Sequence, residues 1–163
     1  MFSSLCLAFS FFFFVPHHDK DHTEVEFVRV WPQWHDAAEF KRISEYFSGK
    51  ENDSGWKLRR TQPDHREGFY FLARVRHKHY SLLGAKFVLR VILPDSPDPK
   101  PPMEFPADVD QGEEVFEIGI TGPDWPNKKL HPVAWRLDLV GPDGHLLAWS
   151  QSFLWEKPGA VQP

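Results

Sequence analysis

The sequence predicts a mainly β domain: an antiparallel β-sandwich of about seven strands with one short helix near residues 36–48. Three observations carry this. Apolar and polar side chains alternate over residues 114–121 and 133–139, and a period of two is the signature of a strand. Turn residues punctuate the chain at short, regular intervals, as in Gly141-Pro142-Asp143-Gly144. Long segments of helical period, which would signal crossover helices over a parallel sheet, are absent.

The totals suit one domain. A chain of 163 residues with 41% hydrophobic and 26% charged side chains can bury a sizeable core without metal or disulfide staples. The net charge of −4 argues against a nucleic-acid partner, which needs a basic face. Cys6 is the single cysteine, so no intrachain disulfide forms, and it lies inside an apolar run, which makes it a poor nucleophile.

That run opens the chain. Residues 1–16 read as a signal-peptide-like apolar segment, in which Leu5 to Val15 match a signal h-region and fall short of the roughly 20 apolar residues of a spanning helix. The basic residues that usually precede such a run are missing, as is a small-residue cleavage site after it. Residues 17–22 form a His/Asp-rich linker, residues 23–158 the sandwich domain, and residues 159–163 a C-terminal tail.

Within the domain, Glu24 to Trp31 reads as a first strand, with Val25, Phe27 and Trp31 on one side, Val28 and Val30 on the other, and Pro32 as its stop. Asp36 and Glu39 have the spacing of a capping box, and Phe40, Ile43 and Phe47 form a helical stripe that Gly49 is placed to end. Trp56 to Thr61 is a short second strand. Gly68 to His77 is a strong third one, with Phe69, Phe71, Ala73 and Val75 inward and Arg74 and Arg76 outward. In Ala85 to Pro94 the inward row is Phe87, Leu89, Val91 and Leu93. Six prolines between Pro94 and Pro106 (94, 97, 99, 101, 102 and 106) predict an extended crossing with few hydrogen bonds, with Phe105 as a short edge residue. In Glu114 to Thr121, Phe116, Ile118 and Ile120 face in and Glu117, Gly119 and Thr121 face water. Val133, Trp135, Leu137 and Leu139 form the next inward row, with Arg136 and Asp138 outward, and a last strand runs from Leu146 to Trp155.

In pattern, residues 23–158 resemble an immunoglobulin-like or fibronectin type III-like sandwich, without the cysteine pair of antibody domains. The resemblance implies a fold and no residue roles. A barrel is the alternative closure.

The common catalytic signatures are absent: no G-x-S-x-G elbow, phosphate-binding glycine loop, H-E-x-x-H or C-x-x-C. The expected protein is therefore a non-enzyme. Aromatic side chains are the stronger lead, because an exposed ring stacks on sugars or anchors a protein interface. Trp125, Trp34 and Trp56 are the candidates for ligand binding. Trp125 ranks first, because Gly122-Pro123 and Pro126 hold it in what reads as a loop tip. His17, His18 and His22 are the candidate metal ligands, and Zn or Cu there is the only cofactor the sequence suggests. His77 with His79, His35 with Asp36, and His131 with Asp124 are weaker pairings.

These readings converge on a non-catalytic, secreted or envelope-associated (periplasmic or cell-envelope) module that binds a protein partner or itself. A carbohydrate-binding module with an aromatic platform is the first alternative. A metal-binding protein or metal-dependent enzyme using the His-rich segment is the second. Contact with a membrane would come only through residues 1–16, if uncleaved.

Overall fold

The computed structural model describes residues 24–39, 55–96, 98–125 and 127–156. The apolar run, the His-rich linker, the C-terminal tail and, past Glu39, the helix expected near residues 36–48 lie outside them. Of that helix only the approach is described: Asp36 to Glu39 make a turn closed by Glu39 N–H to the Asp36 carbonyl at 3.0 Å. The two acids do not bond reciprocally as a capping box would have them. Asp36 accepts from Trp34 and Lys128, and Glu39 bonds His35.

Among the described residues eight strands form two sheets. They are β1 (Val25–His35), β2 (Lys57–Arg60), β3 (Gly68–His77), β4 (Lys86–Ile92), β5 (Met103–Pro106), β6 (Gly112–Thr121), β7 (Ala134–Val140) and β8 (Leu146–Gln151). One sheet has the order β1-β3-β6-β2 and the other β5-β4-β7-β8. The eighth strand is β5. The proline-rich crossing ends by pairing Met103–Pro106 with β4, in a piece short enough to need few backbone donors.

The inward rows read from the alternation make the core. Phe69, Phe71, Ala73 and Val75 of β3 and Phe116, Ile118 and Ile120 of β6 are buried against Phe87, Leu89 and Val91 of β4 and Trp135, Leu137 and Leu139 of β7. Edge-to-face ring pairs join the layers, Phe71 to Trp135 at 5.6 Å and Phe87 to Phe116 at 4.9 Å, in the geometry that aromatic quadrupoles prefer. Two stacked sheets without shared ladder bonds settle the closure as a sandwich. The strand order also sets its class: β1, β3 and β6 take the places of strands A, B and E of the immunoglobulin-like sandwich, β4, β7 and β8 those of C, F and G, and β5 extends the second sheet beside C.

Five details depart from the sequence reading. First, β1 runs through Pro32 to His35, because it is an edge strand paired only with β3, where a missing N–H costs no ladder bond. Second, a bulge at Val28 shifts the phase of β1, so that Phe27, Val30 and Trp34 pack on the core, while Trp31 lies outside under Arg29. Third, β2 joins β6 in parallel, the one parallel pairing among the described strands. Fourth, the outer face of β6 is not wet: Glu117 and Thr121 are buried, and the Tyr70 ring covers Gly119. Fifth, the last strand stops at Gln151. Ser152 takes over, its N–H on the Trp135 carbonyl and its hydroxyl accepting from Trp135 N–H, and a 3₁₀ turn follows at Phe153–Glu156.

Candidate functional site

Trp125 is not a loop tip. It is 2% exposed, stacked on Phe69 with ring centroids 4.8 Å apart, and its indole N–H donates to the Leu130 carbonyl. The rigid Gly122–Asp124 3₁₀ turn that seemed to present it instead swings it inward, with Trp125 N–H on the Gly122 carbonyl closing the turn. Trp34 is half-buried beside the core, its indole N–H held by Asp36. Trp56 is 37% exposed and sits one residue before the Lys57–Phe116 register pair, whereas Trp34 is level with Phe69 and Ile120. The three tryptophans therefore share no common surface.

The histidine pairings do not form either. His131 packs edge-on against Phe69, while Asp124 accepts from Gln62. His35 faces Glu39 and the Tyr70 ring rather than Asp36. His77 is the last residue of β3 and is buried, whereas His79 lies beyond the strand in an exposed bend, so the spacing of two does not act on one face. Among the described residues no group of three His, Cys, Asp or Glu side chains could hold a metal. His17, His18 and His22 lie outside those residues.

Two surfaces stand out. At the end of the sandwich where β3 runs into β4, a shallow cleft of about 520 Å³ is lined by Arg76, His77, Lys78, Gln111, Gly112 and Glu113. Arg76, one of its cations beside Lys78, is already held between Glu26 at 2.9 Å and Glu113 at 3.0 Å. Tyr80 beside it donates to Glu24, which pushes the phenol pKa up.

The second surface is the free edge of β8. Each sheet has two edge strands, and an exposed edge is a template for pairing unless something blunts it. Three of the four are blunted. β1 has its bulge, Pro32, Glu26 and Arg29. β2 is short and carries Lys57, Arg59 and Arg60, and Arg59 ties it across to the Pro106 carbonyl of β5. β5 is short and contains Glu104 and Pro106. The remaining edge, Leu146-Leu147-Ala148-Trp149-Ser150-Gln151, has no charge and no proline. Its one irregularity, the extra residue Leu147, sits at the hairpin end and leaves Ala148 to Gln151 regular.

That edge is also apolar. Leu146 is 50% exposed, Trp149 49%, and Phe153 and Leu154 of the following turn 88% and 42%. Trp149 is held by its neighbours. On β7, Arg136 places its guanidinium 5.1 Å from the indole centroid, donates to Asp138 at 2.7 Å and reaches Gln151 at 3.3 Å. Asp138 is buried and also receives Arg90 at 2.5 Å. A guanidinium on one side of the indole leaves its other side, toward the free edge, for a partner. The sequence signal for this site was present in the composition of β8, among the described edge strands the only one without a charge or a proline.

No family model matches the chain, and no curated protein matches it. Among solved structures, an immunoglobulin-like protein from Pseudomonas aeruginosa aligns over 78% of this chain and 93% of its own, with a TM-score of 0.34 and 16% sequence identity. The class of the present chain follows from its own strand order: it is an immunoglobulin-like β-sandwich.

Proposed function

We propose that the chain is a non-catalytic binding and assembly module, exported from the cytoplasm, that contacts a protein partner through the β8 edge. The observation that supports it is the contrast among the four edges. Three carry devices against pairing, and the fourth combines a neutral strand with four exposed large apolar side chains. Strand addition to such an edge draws affinity from main-chain hydrogen bonds and specificity from alternate side chains. The apolar run Leu5 to Val15 supports export.

The test is a photo-crosslinking amino acid placed at position 149, or at position 104 on β5, the opposite edge of the same sheet, in cells producing the chain. Covalent protein adducts from 149 and not from 104 are expected. Equal adducts from both positions, or none from 149, would overturn the reading. Mature protein that retains Met1 would overturn the export part alone.

A further inference from the structure

We infer that the partner of the β8 edge is a second copy of this chain, paired antiparallel about a two-fold axis at Trp149. The inference rests on the proposed role of that edge and names its occupant.

An isologous interface must tolerate itself: every group on the strand meets the group related to it by the two-fold. A charge on the axis would meet its own copy, and like charges directly opposite destabilise a pair. β8 meets the condition. With Trp149 opposite Trp149 of the other copy, residues whose numbers sum to 298 face one another. Ala148 then meets Ser150, and Gln151 faces the bulge at Leu147, where the regular count ends. Leu146 to Ser152 carry no charged side chain, so no charge is set against a like charge across the axis. β2, with Lys57, Arg59 and Arg60 in four residues, could not pair with itself in this way.

The face is right as well. Trp149 is in register with Asp138, whose side chain lies on the outer face of the second sheet, so the two indoles would meet outside the sandwich and leave the core undisturbed. Arg136 already backs each indole from the β7 side. Cross-strand aromatic pairs are among the more favourable contacts on a sheet. The overlying edge, β1, is blunted, so only the second sheet continues across the axis, giving one eight-stranded sheet of order β5-β4-β7-β8-β8-β7-β4-β5.

The experiment joins two measurements. Sedimentation velocity over a concentration series should show a reversible monomer–dimer equilibrium whose dissociation constant rises at least tenfold in Trp149→Lys and stays unchanged in Glu104→Lys, on the far edge of the same sheet. Circular dichroism of each variant confirms that it is folded. In a Cys6→Ser background, Trp149→Cys should form a disulfide-linked dimer under mild oxidation, because directly opposed residues of an antiparallel pair lie within disulfide reach. A purely monomeric chain whose position 149 still crosslinks a different protein in cells overturns the second copy and leaves the edge reading intact. A dimer indifferent to Trp149→Lys overturns both. A dimer sensitive to Trp149→Lys but without the Trp149→Cys crosslink overturns the proposed register.

Discussion

The ring of Tyr70 lies against the backbone of Gly119, so close that a Cβ at position 119 would sit 2.4 Å from Tyr70 Cε1. The two residues are register partners on β3 and β6, on the outer face of the first sheet. The ring is fully buried, and its hydroxyl is fixed twice: it donates to the Arg66 carbonyl and accepts from Arg60 Nε, both at 2.7 Å. With the ring pinned at its far end, it cannot tilt away from an added methyl. Gly119→Ala is therefore expected to cost about 1–3 kcal/mol, the range for overpacking a filled site. Urea denaturation measures it, and an unchanged midpoint would show that the ring is free to move.

Trp125 yields a prediction that separates a core residue from a binding one. Trp125→Ala removes a buried ring stacked on Phe69 and should cost about 3–5 kcal/mol, whereas Trp125→Phe keeps much of the packing and should cost clearly less. Stability loss graded with side-chain volume is expected. A variant of wild-type stability would contradict the buried position.

Asp138 is a buried carboxylate between Arg90 and Arg136. Truncating it to Ala leaves two guanidinium groups without their acceptor at the sheet surface. Removing one partner of a fully buried pair costs 3–5 kcal/mol, but both arginines reach water here, so about 2–3 kcal/mol is expected for Asp138→Ala. The same variant frees Arg136 from its anchor, so the fluorescence of Trp149 should change with it. A stability change without a spectral one would argue that Arg136 does not position the indole.

Acid should weaken the fold through two exposed aspartates. The Lys57 ammonium holds the Asp110 carboxyl below the usual aspartate range, and hydrogen bonds from Lys128 and then Trp34 do the same for Asp36. A carboxylate whose folded pKa is depressed contributes stability that is fully present above the unfolded value, near 3.9, and is lost as pH falls through the lower folded value. Urea midpoints should therefore decline below about pH 4. The decline should be shallower in the Lys57→Met, Lys128→Met double variant. Parallel acid limbs would show that these pairs do not contribute.

Much of this fold was legible because alternation survives wherever one face packs on a core. Gly68 to His77 coincides with β3, and the inward rows of β4, β6 and β7 appear in the core as read, except that Val133 precedes β7 and is exposed. What failed were features that single residues decide in three dimensions. A bulge at Val28 carries no local signature, yet it inverts the facing of every later residue in β1. Trp125 in a Gly-Pro loop reads as exposed, because nothing local shows that Phe69 leaves room for it. The burial of Glu117 and Thr121 followed from what lies over the sheet, which periodicity cannot report. For the candidate site the information was present, but it lay in a comparison. β8 looks ordinary until the other three edges are known to be guarded, and edge positions are a property of topology.

The parallel alignment of β2 with β6 has a bearing on the order of assembly. Lys57 finds Phe116 only across a long stretch of chain, and among the described strands β2 pairs with β6 alone. The β7–β8 hairpin can close locally, and β3 with β6 can follow, but β2 has nothing to dock on until β6 is in place. Closing so wide a loop for a four-residue ladder is unfavourable until that template exists. β2 is thus the last strand to join during refolding and the first to leave in native-state hydrogen exchange.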